Sequence, residues 1–312
     1  MRSLTFVSSL GLLLSLMKLP TALAAACCAG NAAAPALISG DESSQLGITA
    51  ARISVIGDAP GSGIPVFRSA HESETTASAR LDFATLINDR WQVGAVVPWI
   101  QHRVSRLGSD SSASSLGDLK LNVGFEALPE WTYSAWKPRG YVFAQAILPT
   151  SRSIYETESS TATDTIGRGF LGLAVGALLL KHGAEWDAFL IPELHHSFSR
   201  SFNTSATSYE VLEVSPGWGA SIAFGGGWSW SEFRLGARLQ PVYAQGKRVR
   251  SPSSDTISTY QLSWDAGLDV TYLANEDWSF TAAYTDQTLI GPAVNSSLSR
   301  SFALGLQRRW QR

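Results

Sequence analysis

Residues 116–128 read LGDLKLNVGFEAL, and the alternation within this stretch decides the fold. Apolar side chains occupy every second position from Leu119 to Phe125, and most of the positions between them, from Asp118 to Glu126, are polar. A period of two is that of a β-strand with one apolar face and one polar face. In a soluble sheet the apolar face is buried, whereas in a transmembrane barrel it meets lipid and the polar face lines a lumen. The rest of the chain decides between the two.

The composition limits the classes of protein to which the chain can belong. Of its 312 residues, 16% are charged and 45% are hydrophobic, the net charge is −2, and 11 residues are Trp. A near-neutral chain gives no reason to expect nucleic acid as a partner, since phosphate binding needs a basic surface. Low charge with abundant aromatic residues fits a barrel with aromatic girdles, although a large soluble β protein could share these values.

The N-terminus resembles a secretory signal peptide. Arg2 precedes an apolar run from Leu4 to Met17, which is too short to span a bilayer. Residues 22–24 read Ala-Leu-Ala and match an A-x-A cleavage site. We therefore predict a signal peptide over residues 1–24, a flexible N-terminal segment over residues 25–43 and a barrel domain over residues 44–312.

Cys27 and Cys28 are the only cysteines, and they follow the predicted cleavage site directly. One interpretation is acylation of Cys27, as in a lipoprotein, although Leu23 lies one place too far from it for the usual lipobox. Adjacent cysteines cannot link distant parts of a chain, and no His lies near enough to complete a metal site. The favoured interpretation is an exposed pair in a flexible segment, and the sequence predicts no metal and no cofactor.

Alternating segments recur from residue 44 to the end of the chain. Twelve are recognisable, near residues 44–56, 75–87, 91–103, 117–128, 139–148, 167–180, 184–198, 208–224, 228–245, 257–273, 277–287 and 298–310. Most have the ~9–11 residues that a tilted membrane strand needs, whereas soluble strands average about 5–6. No segment after the signal peptide has the ~18 consecutive apolar residues of a transmembrane helix.

Short and long connections alternate between these segments. The short ones are residues 88–90, 181–183, 225–227 and 274–276, and the link at 129–138 is of middling length. The long ones are residues 57–74, 104–116, 149–166, 199–207, 246–256 and 288–297. Bacterial outer-membrane barrels have short periplasmic turns and long external loops, so the pattern predicts an antiparallel up-and-down barrel of about 12 strands in that membrane.

The polar faces also predict a register for one pair of strands. Folding residues 228–245 against residues 257–273 about a loop near Ser251 places Arg238 opposite Asp265, and Arg234 opposite Asp269. Opposite charges across a ladder are favourable, and in a narrow lumen they keep buried charge matched. An exposed ladder on a soluble sheet is the alternative.

Aromatic residues lie near the strand ends on the apolar faces, where a membrane interface would hold them. They are Trp91, Trp99, Trp186, Trp218, Tyr243, Tyr260, Tyr272 and Trp278. The last segment also carries Trp310 close to the C-terminus, as the final strand of an outer-membrane barrel often carries an aromatic residue. These positions favour the membrane alternative and make outer-membrane lipid a partner of the chain.

The opposite faces would then line the lumen. The predicted lumen-lining residues are Arg80, Asp82, Asp118, Lys120, Asn122, Glu126, Asp187, Glu193, Glu213, Glu232, Arg234, Arg238, Asp265 and Asp269. Small residues from Gly172 to Gly176 would leave space on one wall. Mixed charge argues against strong ion selectivity, and twelve strands enclose an interior that salt-bridged side chains could fill.

Three stretches resemble a known family. In order they are RWQVGAVVPWIQHRV (90–104), LGDLKLNVGFEAL (116–128) and FAQAILPTSRS (143–153). They resemble the outer-membrane barrels associated with the meta-pathway of phenol degradation, which are regarded as transporters. Pro98, Gly117, Asp118, Pro149 and Thr150 match that pattern, while Ser151 replaces the usual Gly. The resemblance covers residues 75–190; it implies a barrel that transports, and it supplies no catalytic residues.

These observations predict a channel or passive transporter for a small, hydrophobic or aromatic molecule. One alternative is a structural or adhesive barrel whose lumen is closed by salt bridges. Another is a barrel enzyme of phospholipase type, which would need a His and a Ser together on the lipid side. His195 and Ser197 share a face with Asp187, which the pattern turns inward, and no G-x-S-x-G motif occurs. We therefore predict no enzymatic activity and no catalytic residue.

Overall fold

The computed structural model describes residues 35–61, 63–69, 71–106, 109–130, 134–159, 161–203 and 211–312. The predicted signal peptide and the Cys27–Cys28 pair lie outside these residues. Within them, no helix is both long enough and apolar enough to cross a membrane.

Twelve antiparallel strands close into one barrel, as predicted. They are β1 (Glu42–Ala59), β2 (Glu72–Leu86), β3 (Trp91–Arg106), β4 (Leu119–Leu128), β5 (Arg139–Leu148), β6 (Gly172–His182), β7 (Trp186–Ser197), β8 (Gly217–Trp230), β9 (Phe233–Ala244), β10 (Gln261–Leu273), β11 (Trp278–Asp286) and β12 (Ser296–Gln311). Each strand pairs with its neighbours in the chain, and β12 closes the barrel by pairing with β1. The all-β, up-and-down topology predicted from the alternation is therefore confirmed.

The outer surface of the barrel is apolar, and the inner surface is polar. In β4, the Leu121 side chain is 49% exposed on the outside of the barrel, whereas the side chains of Asn122 and Glu126 are buried inside it. The aromatic residues predicted at strand ends from Trp91 to Tyr272 are exposed on the outside, and Trp278 is half-exposed. A soluble sheet would bury the apolar face, so this arrangement is that of a barrel in lipid.

Two of the short turns are built in the same way. The Asn88 side-chain oxygen accepts hydrogen bonds from the backbone amides of Arg90 and Trp91, at 3.0 and 2.9 Å. The Asn275 side-chain oxygen accepts from the amides two and three residues further on, at 2.9 and 2.8 Å. Asn stabilises such turns because its short side chain substitutes for a backbone carbonyl.

The long connections form structure of their own on the opposite, external side. The outer half of β3 continues into a hairpin with residues Ser109–Leu116, and residues Val66–Phe67 pair with the end of β1. A separate four-stranded sheet contains Arg200–Asn203, Val211–Ser215, Arg248–Arg250 and Asp255–Ile257. Its core consists of Phe170, Phe202 and Val214, and a short 3-10 helix, Ile154–Glu156, packs nearby.

This external sheet corrects the prediction for Glu213. Residues 208–224 were expected to form one strand, but Glu213 lies in the external sheet opposite Arg250 and not in the lumen. The chain enters the barrel only at Gly217, which adopts a positive φ of 80°. Pro216 has no amide hydrogen to donate, so the Pro216–Gly217 pair ends one sheet before the next begins.

The triple glycine at 225–227 is also placed differently from its prediction as a turn. All three residues lie within β8, and the turn to β9 is formed by Ser231 and Glu232. Glu232 is therefore exposed at the periplasmic end and does not lie on the wall of a strand. A Cβ on Gly227 would lie 2.6 Å from the guanidinium carbon of Arg234. The glycine is required because the Arg234 side chain crosses this position.

The predicted register between β9 and β10 is wrong by two residues. Arg238 lies opposite Gly267 and Gly236 lies opposite Asp269. A shift of two keeps every side chain on its predicted face, so the alternation alone cannot detect it. Arg234 still reaches Asp269, diagonally across the ladder, at 2.7 Å.

Candidate functional site: the barrel lumen

A piece of the N-terminal region lies inside the lumen. Residues 35–40, called the plug segment below, lie inside the barrel just before β1 begins. Ala36, Leu37 and Ile38 are 6%, 3% and 1% exposed. The sequence predicted a flexible segment over residues 25–43, so the burial of residues 35–40 differs from that expectation.

Amide side chains on the barrel wall hold the backbone of the plug segment. Gln92 of β3 bonds to both polar groups of Ile38: its oxygen accepts from Ile38 N at 2.5 Å, and its nitrogen donates to Ile38 O at 3.1 Å. The Asn122 nitrogen donates to Ala36 O at 2.8 Å, and the Gln45 nitrogen donates to Leu37 O at 2.9 Å. These bonds replace the ladder that the segment lacks, because buried backbone groups need partners.

The C-terminal end of the plug segment is held by side chains of β5. Arg139 donates to Ser39 O at 3.3 Å and forms ion pairs with Asp41 at 3.2 Å and Glu126 at 2.6 Å. The Tyr141 hydroxyl donates to the same carbonyl at 3.4 Å. The plug segment is therefore bound by polar contacts along its length.

Apolar contacts also fix the plug segment. Leu37 packs in a buried cluster with Tyr141, Phe143, Leu178, Leu180 and Ile191. Cβ atoms added to two wall glycines would collide with it: one on Gly94 would lie 2.4 Å from Ala36 O, and one on Gly124 would lie 2.6 Å from the Leu37 side chain. The wall is thus shaped to admit a second chain segment.

The small-residue wall of β6 does not leave the open space that was expected. A Cβ on Gly176 would lie 2.5 Å from the ring of Phe143. The ring therefore fills this space, and the lumen beside it is apolar rather than aqueous.

The upper chamber is a cavity of about 560 Å³ on the external side of the plug segment. It is lined by residues of eleven strands, all except β6, and by Ile166–Arg168 of the external loop 149–171. Among the predicted lumen residues it contains Arg80, Asp118, Lys120, Glu193 and Asp265. One side is apolar, since it includes Val96, Pro98, Ile100 and Ile147.

The lower chamber is a cavity of about 890 Å³ at the periplasmic end. It is lined by Ser39 and Gly40 of the plug segment and by the turns that connect β6–β7, β8–β9 and β10–β11. Carboxylates dominate its wall: Asp41, Glu130, Glu185, Asp187, Glu232, Glu276 and Asp277. This mouth of the lumen therefore attracts cations and repels anions.

A buried arginine joins three strands beside the lower chamber. Arg234 is 2% exposed and bonds Asp187 through two nitrogens, at 2.6 and 2.7 Å, and Asp269 through a third at 2.7 Å. The bidentate geometry matches the guanidinium to the carboxylate. Because both carboxylates are engaged by Arg234, this cluster stiffens the wall and does not offer a free binding group.

Asp118 fastens the external loop to the rim of β4. Its carboxylate accepts hydrogen bonds from the Ser151 hydroxyl at 2.5 Å, the Ser151 amide at 3.3 Å and the Arg168 amide at 2.8 Å. The Thr150 hydroxyl donates to Gly117 O at 2.7 Å. The motif residues of the opening stretch and of the LPTS stretch thus form one latch, with Asp118 at its centre.

The same loop is stabilised internally by Asp164. Burial would raise the pKa of this carboxyl, but hydrogen bonds from Thr157, the Glu158 amide and Arg152 outweigh it and lower the pKa well below the ordinary value. A carboxylate with several donors is held in its charged form. The loop that roofs the upper chamber is therefore held by the ionised Asp164 within it and by the hydrogen bonds that Asp118 accepts at its edge.

The structure places the predicted lumen residues in several surroundings. The upper chamber is lined by Arg80, Asp118, Lys120, Glu193 and Asp265, and the lower chamber by Asp187 and Glu232. The side chains of Asn122, Glu126 and Arg234 are buried. Arg80 pairs with Asp82 at 2.9 Å, and Arg238 donates to Thr285 at 3.1 Å. Glu213 is the exception, since it lies in the external sheet.

Sequence analysis predicted Asn122 as a lumen residue but missed Gln92, which also holds the plug segment, and the lumen amide Gln145. Both lie on inward positions of their strands, so the alternation could have found them.

The two adjacent histidines point to opposite sides of β7, as expected. His195 lines the upper chamber, and His196 lies outside against Trp218, with ring centroids 4.5 Å apart. Within the described residues, no group of three or more His, Cys, Asp or Glu side chains is placed to bind a metal ion.

No family model and no curated protein matches the sequence. Among solved structures, the chain resembles the COG4313 outer membrane channel from Pseudomonas putida F1 with a TM-score of 0.67 and 11% identity, over 90% of this chain and 100% of that chain. The TodX deltaS2S3 mutant monoaromatic hydrocarbon channel gives 0.43 and 12%, over 91% and 95%. The beta domain of the Bordetella autotransporter BrkA gives 0.42 and 9%, over 85% and 99%. The first likeness shows that this chain has the fold of an outer-membrane channel, and the other two are too weak to bear on it.

Proposed function

We propose that the protein is an outer-membrane channel for passive passage of a small hydrophobic or aromatic molecule, with the plug segment as its gate. The observation that carries this proposal is the division of the lumen. The plug segment lies between two chambers. On one side, Ser39 and Gly40 line the lower chamber. On the other side, Ala36 is bound by Asn122, which lies next to Gln145 on the adjacent strand, and Gln145 lines the upper chamber.

The contacts of the plug segment support a gate because they are individually weak and all non-covalent. Each hydrogen bond contributes about 0.5–1.5 kcal/mol net, so a displaced segment that finds water as a partner loses little. The remaining apolar cluster around Phe143 would then face the passage. An interior of this kind suits an apolar solute better than a salt.

The substrate class rests on two kinds of support. The upper chamber has an apolar side that includes Ile100 and Ile147. The sequence resemblance to barrels associated with phenol degradation indicates aromatic molecules. The matching residues Gly117, Asp118 and Thr150 all belong to the latch at the rim of this chamber.

The test compares the wild-type barrel with Gln92→Ala, which removes both bonds to Ile38. Gln101→Ala is the matched control, because Gln101 is an exposed glutamine on the same strand. We expect larger single-channel conductance and faster uptake of toluene by a deletion strain carrying Gln92→Ala, with Gln101→Ala equal to the wild type.

A closed structural or adhesive barrel is the second candidate, and the buried Arg234 cluster favours it. If the wild type, Gln92→Ala and a variant lacking residues 35–40 all fail to conduct and do not alter uptake, that alternative holds and the channel is excluded.

A further inference from the structure

Two exposed arginines face away from the lumen where β12 meets β1, and they are called the outer arginine pair below. Ile53 and Ser301 line the upper chamber, so the neighbouring side chains of Arg52 and Arg300 point to the outside of the barrel. Arg52 lies opposite Phe302, two residues from Arg300. The two arginines are therefore diagonal neighbours on one face, with their Cα atoms roughly 7–8 Å apart.

The outer arginine pair lies at the external boundary of the apolar band. Arg52 is opposite Ala77 of β2, and Ala77 is opposite Gln101 of β3. Gln101 follows the exposed Trp99 by two residues, in the direction of the external hairpin. Exposed Trp residues mark the membrane interface, so the pair lies at the level of the lipid headgroups. A lipid-facing arginine is costly at the bilayer centre and is tolerated at this level.

Arg300 is held by a carboxylate that leaves most of its guanidinium free. Its Nε donates to Asp286 at 2.8 Å. Asp286 also accepts from the Tyr284 hydroxyl at 2.9 Å and from the amide and the hydroxyl of Thr288 at 2.8 and 2.6 Å. The two terminal nitrogens of Arg300 make no hydrogen bond to the described part of the chain, and 50% of this side chain is exposed. A planar guanidinium fixed through one nitrogen presents the other two in a defined direction.

Arg52 has no hydrogen bond, ion pair or aromatic ring against it among the residues that the structure describes. Arg308 is the contrast, because it also faces outward, at the periplasmic end of β12, and lies over two rings. Its guanidinium carbon is 5.5 Å from the ring centroid of Trp278 and 4.9 Å from that of Trp310. The carboxylate described above balances only the charge of its own partner, so the outer arginine pair keeps one uncompensated positive charge.

Apolar side chains lie beside the pair on its membrane side. Phe302 and Leu304 of β12 are 52% and 54% exposed. Tyr284 of β11 lies opposite Phe302 and is 41% exposed. These surfaces contact acyl chains, whereas the guanidiniums donate to an anion. A ligand that satisfies both has a phosphate group and an apolar tail.

We propose that the outer arginine pair binds the phosphate monoester of a phosphorylated acyl lipid in the outer leaflet, whose acyl chains lie against Phe302 and Leu304. The fork of a guanidinium matches two phosphate oxygens. A neutral headgroup leaves the positive charge uncompensated, and the ammonium of a zwitterionic headgroup is repelled by it. A free phosphate ion has no contact with the apolar side chains. The inference is independent of the channel, because it concerns only the outer surface of the barrel.

The experiment measures equilibrium binding of lipid to the whole protein in detergent micelles by native mass spectrometry. The probes are lipid A, which is a phosphorylated glycolipid with several acyl chains, and dephosphorylated lipid A with the same chains. We expect the wild type to bind lipid A at least ~10-fold more tightly than the dephosphorylated form, as a charge-assisted hydrogen bond provides. Inorganic phosphate at the concentration of the lipid should not displace lipid A.

Two variants test the pair. Arg52→Gln removes the uncompensated charge, and Arg300→Lys keeps a charge beside Asp286 while removing the fork. Each should weaken lipid A binding by about 10-fold. Arg103→Gln is the matched control, because Arg103 is an exposed arginine at the external end of β3 that is paired with Asp110. This control should bind lipid A within about twofold of the wild type. Heat-modifiable gel migration verifies that each variant is folded.

The outcomes separate a site from general attraction between charges. Weaker lipid A binding by both Arg52→Gln and Arg300→Lys, with Arg103→Gln unchanged, supports the site. Equal weakening by Arg52→Gln and Arg103→Gln shows that overall charge suffices, and it overturns the site. Unchanged binding by Arg52→Gln, equal binding of the two lipids, or displacement by inorganic phosphate overturns it as well. The conductance of Gln92→Ala tests the channel separately, and none of these binding results bears on it.

Discussion

The side-chain amide of Gln92 and the backbone of Ile38 form a reciprocal pair of hydrogen bonds, 2.5 and 3.1 Å long, inside the barrel. One side chain thereby satisfies both polar groups of a residue that is 1% exposed. The geometry imitates one rung of a β-ladder. It holds the plug segment without making it a thirteenth strand, which is what a gate that opens requires.

Replacing Gln92 with Ala should loosen the plug segment. The change leaves the Ile38 amide and carbonyl without partners, and each unsatisfied buried group costs about 1–3 kcal/mol. We expect the Ile38 amide to exchange hydrogen at least ~10-fold faster than in the wild type. Hydrogen exchange read by mass spectrometry checks this, and Gln101→Ala should match the wild type. Unchanged exchange at Ile38 would show that the apolar contacts of Leu37 suffice.

Adding one methyl group to Gly94 should displace the plug segment. A Cβ there would lie 2.4 Å from Ala36 O, whereas one on Gly305 would meet the Thr49 hydroxyl at an ordinary 3.6 Å. We expect Gly94→Ala to expose residues 35–40 to proteolysis from the periplasmic side, and Gly305→Ala to leave them protected. Limited proteolysis followed by N-terminal sequencing distinguishes the two. Equal protection in both variants would contradict a tight fit at Gly94.

The external loop should keep its structure at moderately acidic pH because of Asp164. A lowered folded-state pKa gives stability that is complete above the ordinary carboxyl pKa of about 3.9 and is lost as the pH falls through the folded value. The methyl signal of Ala162 in NMR spectra should therefore stay unchanged from pH 7 to about 4 and broaden only below it. Asp164→Asn should show a disturbed signal already at pH 7. A wild-type signal that changes between pH 7 and 5 would mean that another group controls the loop.

Removing the Arg234 side chain should destabilise the barrel strongly. Arg234→Met leaves the buried Asp187 and the half-buried Asp269 without their cation, and breaking a buried ion pair costs about 3–5 kcal/mol. We expect this variant in lipid vesicles to unfold at a lower urea concentration than the wild type. Heat-modifiable gel migration measures the fraction that remains folded. Arg103→Met serves as the control, since Arg103 pairs with Asp110 on the exposed external hairpin. This variant should unfold at the same urea concentration as the wild type. Equal midpoints for the two variants would place the stability elsewhere.

The sequence predicted the strands well because each one carries its own signal. In β4, the alternation from Leu119 to Phe125 is local, and lipid on one side enforces it over the whole strand. The sequence also indicated the turn at Asn88, because the Asn side chain builds it from neighbouring residues. Errors arose where a local signal had two meanings: Gly227 could be a turn residue or a space for Arg234, and only the position of that side chain decides.

The candidate site was predicted in part. Inward-facing positions such as Lys120 and Asp265 followed from the face of each strand. The contacts of Asp118 with Ser151 and Arg168 did not, because they depend on which groups the folded external loop brings near. Neither did the role of Gln92, whose partner Ile38 lies 54 residues away.

By itself, the sequence determined that LGDLKLNVGFEAL contains a strand, that eleven other segments of the chain are strands, and that their apolar faces meet lipid. A period of two sets the face of every side chain, and it does so without any distant contact. Only the tertiary structure decided the register, the external sheet that takes Glu213, and the location of residues 35–40 in the lumen. Each of these depends on contacts between residues far apart in the chain, and a shift of two residues or an inserted segment leaves the alternation unchanged.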